Sequence, residues 1–129
     1  MLVLTSEQIG KLVRMEEAIE AVKRAFSMLE QGDIVMPLRM AIRAEKGTLL
    51  FMPAYAPALG AAVVKNVNVF PENVRAGLPV TTGQILLIDG ETGCARALLD
   101  GARVTRLRTG AATGAAFDVL GKKSAARER

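Results

Sequence analysis

Residues 61–70, AAVVKNVNVF, alternate with a period of two. Val63, Lys65, Val67 and Val69 fall on one face of an extended segment, and Val64, Asn66, Asn68 and Phe70 on the other. The valine row reads as the side that faces a core. That makes the segment a strand of a sheet, and it puts an ammonium among valines. A charge in such a row is costly unless it is paired, hydrated or used.

The segments around it fit a sheet with helices at its ends. Thr5-Ser6-Glu7-Gln8 has capping-box spacing and opens a short helix over about 6–13. Met15, Ile19, Val22, Phe26 and Leu29 then recur at helical spacing with charged residues outside, and Gly32 stands where a left-handed C-terminal cap belongs. Leu38, Met40 and Ile42 alternate with Arg39, Ala41 and Arg43. Thr48 to Met52 is an apolar run expected to stop at Pro53. Gln84 to Ile88 and Cys94 to Leu99 flank Asp89-Gly90-Glu91-Thr92-Gly93, a hairpin with suitable turn residues. Asp100 caps a last helix with Val104, Leu107, Ala111 and Ala115 along one stripe. Short-turn strands with helices gathered at one end predict an α+β domain: a mainly antiparallel sheet with N-terminal helices packed on it and a C-terminal helix.

Composition narrows the chemistry. At 129 residues the chain is long enough for one domain with its own core. It has no histidine, which excludes Ser-His-Asp and Cys-His mechanisms and the usual zinc sites within these residues. One cysteine, Cys94, permits no internal disulfide. Four basic residues and one acidic residue of the final eight, KKSAARER, supply most of the net charge of +4. The high pI is therefore a property of a basic tail, residues 122–129, and the body, residues 1–121, is near neutral. Basic residues are not interleaved with aromatic ones, so no nucleic-acid partner is expected. Neither a signal peptide nor the roughly 20 apolar residues of a membrane span is present, and a cytoplasmic location is the expectation.

Three cations and one loop stand out. Lys65 is either a snorkelling lysine with its stem on valine or a binder of carboxylate or carbonyl groups, or a base with a lowered pKa. Arg108 lies four residues from both Val104 and Ala112, on the apolar stripe, whereas Arg103 and Arg106 read as solvent-facing. Arg108 either holds a planar anion bidentately or pairs with a strand carboxylate. Arg39 reads more simply as part of a solvated face with Arg43. Gly110-Ala-Ala-Thr-Gly-Ala-Ala116 carries almost no side-chain bulk, which fits close approach of another backbone or a ligand. The nine-residue stretch Pro71 to Pro79, with Gly77 inside it, is longer than a hairpin needs. GxGxxG and Walker A loops are absent.

Several blocks, in order, resemble the ornithine cyclodeaminase/mu-crystallin family. Lys65, Phe70-Pro71-Glu72-Asn73 and Gly77-Leu78-Pro79 are similar to its K…FPxNxxxGLP block. Leu98-Leu99-Asp100-Gly101, Val104-Thr105 and Arg108-Thr109-Gly110-Ala111-Ala112 are similar to its LLDGxxxTxxRTAA block, and Phe51-Met52-Pro53-Ala54-Tyr55 to its MPAY segment. The resemblance implies the substrate-binding and dimerisation domain, residues 1–121, of a two-domain enzyme that uses NAD or NADP. Its substrates are small anionic amino acids or cyclic imino acids, and sheets of two subunits pack into a homodimer. By position Arg39, Lys65 and Arg108 match the cations that hold the substrate carboxylate. Lys65 is also placed to act on the amine or imine, and Thr109 matches a position near the cofactor. The family's Rossmann domain would begin beyond Arg129, so this chain alone is expected to be inactive. Leu50 stands where ornithine cyclodeaminases proper tend to carry an acidic residue, which favours alanine-like or cyclic-imine substrates. A different class of function keeps the fold without the chemistry: a dimeric small-molecule binder or assembly module.

Overall fold

The computed structural model describes residues 1–121, so the basic stretch 122–129 lies outside the described residues. Six strands and three helices follow in chain order: β1 (Leu2–Leu4), α1 (Ser6–Leu12), α2 (Met15–Glu30), β2 (Met40–Ala44), β3 (Gly47–Ala56), β4 (Ala61–Val69), β5 (Thr81–Asp89), β6 (Ala95–Asp100) and α3 (Gly101–Leu120). The strands form one sheet in the order β1-β6-β5-β4-β3-β2. β2 to β6 is an antiparallel meander, and β1 joins the edge of β6 in parallel. The α+β architecture expected from the pattern is present.

The helix ends form where their residues demand. Thr5 and Gln8 exchange both bonds of the capping box, Thr5 N–H to Gln8 Oε1 at 2.9 Å and Gln8 N–H to Thr5 Oγ1 at 3.3 Å. At the end of α2, Asp33 N–H donates to the Met28 carbonyl and Gly32 N–H to that of Leu29, with Gly32 at φ +78°. This is the two-bond closure that only a residue tolerant of positive φ completes without strain. Asp100 caps α3 by accepting from Arg103 N–H at 2.6 Å.

Register decides which side of the sheet each residue serves. Residues directly opposed in a ladder share a face. Met52, Lys65, Ile85 and Leu99 therefore form one cross-strand row, and Leu50, Val67 and Gly83 the next. α3 lies over this face, against β4, β5 and β6, while α1 touches β6 and α3. α2 packs chiefly on α3, so it reaches the sheet through that helix. The two run parallel. Gly110 stands beside Met15 and Gly114 beside Ile19, and Lys23 Nζ reaches Asp118 Oδ2 at 2.7 Å. Each step is four residues along both helices. The buried apolar residues Ile9, Ile85, Ala97, Ala111 and Ala115 all belong to this sandwich of sheet and helices.

The other face carries Phe51, Pro53, Val64, Met40 and Ile42, which border an open apolar hollow together with Pro37 and Leu38. Met40 is 62% exposed and Ile42 49%. Asn66 and Asn68 on this face bond to each other through both amides, at 3.0 and 2.9 Å. Among the described residues, no helix is long and apolar enough to cross a membrane.

Two expectations about strands need correction. Pro53 does not stop β3, which runs on to Ala56. Tyr55 exchanges N–H···O bonds with Val35, and by alternation Pro53 turns its ring nitrogen to the same edge. There it falls between that bridge and the first β2 pair, Met40 with Phe51, where no ladder bond is lost. β5 begins at Thr81 rather than Gln84, because its polar first residues pair with Val67, Asn68 and Val69.

Candidate functional site

Lys65 occupies the middle of β4, with Met52 and Ile85 beside it on the neighbouring strands. It is half-buried on the face under α3. Among the described residues its ammonium has no hydrogen bond and no ion pair. Burial, and secondly the Arg108 guanidinium, hold its pKa below the usual lysine value. The strand therefore presents a cation that the rest of the domain does not neutralise.

A pocket of about 320 Å³ opens at this point, bordered by Lys65 and Val67 of β4, Thr81 and Gly83 of β5, and Gly101, Ala102, Thr105 and Arg106 of α3. Among the described residues no carboxylate borders it. Its shape depends on a contact without side chains. A Cβ on Gly101 would lie 2.7 Å from the Gly83 carbonyl carbon and 2.8 Å from Gln84 N. The first turn of α3 thus rests directly on the β5 backbone. Thr105 Oγ1 donates to the Gly101 carbonyl at 2.6 Å, which leaves its lone pairs to accept from a ligand.

Arg108 stands on α3 close enough to act on Lys65 through its charge. It is exposed and does not border the 320 Å³ pocket, so the apolar stripe does not enclose it. The small residues around it leave the guanidinium uncovered. Arg39 immediately precedes β2. Continuing the Met40–Phe51 register by one residue sets Arg39 beside Met52, on the face of Lys65. Two strand spacings, about 10 Å, separate its backbone from that of Lys65. Thr109 is exposed on α3, and its carbonyl accepts from Thr113 Oγ1 at 3.2 Å. Lys65 and Arg108 stand within electrostatic reach of each other, then, while Arg39 lies on the same side of the sheet at longer range and Thr109 follows Arg108 on α3.

The glycine-rich stretch of α3 divides by function. A Cβ on Gly114 would meet Ile19 Cδ1 at 2.7 Å, whereas one on Gly110 would meet only the tip of Met15, at 3.4 Å. Gly114 serves helix packing rather than a ligand.

The loop after β4 is tied down. Pro71–Ala76 forms a 3-10 helix that ends at Gly77, φ +68°. Asn73 Nδ2 donates to the Pro79 carbonyl at 2.9 Å, and Leu78 N–H to that of Asn73 at 3.0 Å. Phe70 N–H closes the base on the Val80 carbonyl at 2.8 Å. Chain direction into β5, and hence the place of Gly83, follows from this clamp.

Two arginines differ from the sequence reading. Arg106 borders the pocket with Lys65 instead of serving solvent alone. Its spacing of four from Ala102 put it on the same helix flank, a signal that gains meaning only once that flank is known to face a pocket. Arg103 is half-buried, and its Nε is buried with no hydrogen-bond partner. Its guanidinium lies against Gly10 of α1, which has no side chain to displace it. Nothing in the local pattern signalled that contact.

The described residues do not fit a dinucleotide. Their positive-φ glycines, at 32, 60, 77 and 93, lie in turns that do not run from a strand into a long helix. The strand-to-helix junction at Asp100–Gly101 lacks the glycine-rich phosphate turn.

Comparison with known proteins places these features in a group. The model of the ornithine cyclodeaminase/mu-crystallin family matches residues 1–127. The alanine dehydrogenase of Archaeoglobus fulgidus is 40% identical over 123 residues, 95% of this chain and 38% of that protein. An archaeal alanine dehydrogenase dimer with bound NAD superposes with a TM-score of 0.87 at 40% identity, over 95% of this chain and 38% of that one. The Δ1-pyrroline-2-carboxylate reductase of Thermococcus litoralis, in complex with NADH and L-proline, gives 0.86 at 43% identity, over 96% and 39%. The chain therefore spans about two fifths of the length of the relatives it matches.

Proposed function

Because this chain belongs to the ornithine cyclodeaminase/mu-crystallin family, we propose that residues 1–121 are the substrate-binding and dimerising part of an NAD(P)-dependent enzyme acting on a small amino acid or cyclic imino acid. The observation that carries this reading is Lys65, a half-buried ammonium held over a pocket where, among the described residues, no anion meets it. A substrate carboxylate supplies the missing partner, with Arg108 outside the pocket but within electrostatic reach of Lys65, and Arg39 reaching in from the β2 side. The lowered pKa brings Lys65 nearer to exchanging a proton with a substrate amine or imine at working pH. NAD(P) supplies the hydride acceptor or donor, and its dinucleotide is held outside the described residues; Thr109 is the position on α3 assigned to approach it.

Leu50 sharpens the substrate class. It pairs with Val67 on the face of Lys65, so the pocket side offers an apolar group there and no acid for a second substrate amine. That weighs against a diamino acid and supports amino or imino acids without a second amine, the classes named in alanine dehydrogenase and Δ1-pyrroline-2-carboxylate reductase among them. The uncovered apolar face of β2, β3 and β4 supports a homodimer through the sheet.

An NMR titration of the 129-residue chain with propionate tests the site. Saturable shifts are expected around Lys65 and Arg108, lost in Lys65→Met and weakened in Arg108→Leu. Absence of saturable binding, or binding indifferent to Lys65→Met, overturns the reading.

A further inference from the structure

We propose that Arg106 is a specificity-determining residue that receives a second anionic group, so that the pocket is suited to a short dicarboxylic amino or imino acid. This rests on the reading above, in which Lys65 takes the first carboxylate. Among the described residues Arg106 and Lys65 are the two charged residues that border the pocket, one carried by α3 and the other by β4. Among the described residues Arg106 has no ion pair and no hydrogen bond, so its fork of donors is unused.

The space between the two cations is neutral. Gly83, Gly101 and Ala102 leave it open, and Thr81 and Thr105 add hydroxyls at its edge. Its volume of about 320 Å³ is within the range of pockets that hold small molecules. One end of such a space suits a compact ammonium–carboxylate contact, and the other a planar guanidinium able to hold a carboxylate bidentately. A diamino acid finds the reverse: a second ammonium would face Arg106 with no acid nearby. A monocarboxylate still binds at Lys65 and leaves Arg106 in water.

Succinate and propionate, titrated separately into the 129-residue chain and followed by NMR, distinguish the outcomes. The expected result is that succinate binds about five- to tenfold more tightly than propionate. Arg106→Gln should abolish the preference, so that succinate binds no more tightly than propionate. Arg24→Gln removes the same charge from α2, away from the pocket, and should retain the preference. Equal affinities in the wild-type chain, or a preference that survives Arg106→Gln or is lost equally in Arg24→Gln, overturn the role of Arg106 while the Lys65 site stands. Failure of propionate to bind, or binding that Lys65→Met does not touch, overturns the carboxylate site itself and the inference with it.

Discussion

Gly101→Ala is the substitution that most directly tests how the pocket is built. The new methyl would lie 2.7 Å from the Gly83 carbonyl carbon, 2.8 Å from Gln84 N and 2.9 Å from the Gly83 carbonyl oxygen. All three are backbone atoms of a strand paired on both sides, so no side chain can swing away. Ordinary contact begins near 3.4 Å, and α3 must therefore lift by about 0.7 Å at its first turn. Overpacking of this kind costs about 1–3 kcal/mol. Alanine returns up to about 1 kcal/mol of helix propensity, less at a first helical position. The net loss is about 1–2 kcal/mol, which for a domain of this size lowers Tm by about 4–10 °C. Circular dichroism melts measure it, with Gly110→Ala as comparator. There the methyl sits at 3.4 Å from the flexible Met15 tip, and Tm should hold or rise. Lifting α3 also moves Thr105 and Arg108 away from Lys65, so propionate affinity should fall in Gly101→Ala alone. A Gly101→Ala chain that melts at or above the wild type would refute the account of a pocket floored by direct backbone contact.

Lys65→Met keeps the stem on its neighbours and removes a cation the fold does not pair. It should leave stability unchanged or raise it by about 1 kcal/mol or less, with Tm holding or rising slightly. The pH dependence has a definite sign. With its folded-state pKa below the unfolded value near 10.4, Lys65 destabilises fully below the folded pKa, where both states carry the proton. Between the two values the unfolded chain binds more protons, so the wild type gains on Lys65→Met as pH rises. A variant that instead loses about 3 kcal/mol or more would reveal a buried ion pair. In sedimentation the chain should be a dimer or larger, with on the order of 1,000 Å² or more buried per pair; a clean monomer at tens of micromolar refutes it. Incubated alone with NADH and pyrroline-2-carboxylate, the 129-residue chain should show no change in absorbance at the nicotinamide band. Measurable turnover would place dinucleotide binding within these residues after all.

Local structure was legible wherever it depends on near neighbours in the chain. Thr5 with Gln8, Gly32 after α2, Asp100 before α3 and the turn at Asp89–Gly93 form as their residues require. Each is a hydrogen bond or a φ value decided within a few positions. Pro53 shows the limit. Its cost depends on whether a partner strand stands at that edge, which is a fact about β2 and Val35, not about β3.

The sequence offered candidate site residues but not their geometry. Period-two alternation determined that Lys65 shares a face with Val63, Val67 and Val69, and the order of motif blocks identified the family and made Arg39, Lys65 and Arg108 the expected substrate-binding cations. Tertiary structure decided what those cations meet. Helical spacing ranked Arg108 as enclosed and Arg103 and Arg106 as solvated. A helix wheel cannot know that α1 offers Gly10 to Arg103, or that the flank of Ala102 and Arg106 overlooks β5 at Gly83. Burial of a side chain is set by what packs against it, and those partners lie tens of residues away. The sequence determines which way each residue points along its own element; only the packing of α3 on the sheet decides which of those directions leads to a pocket, to another helix or to water.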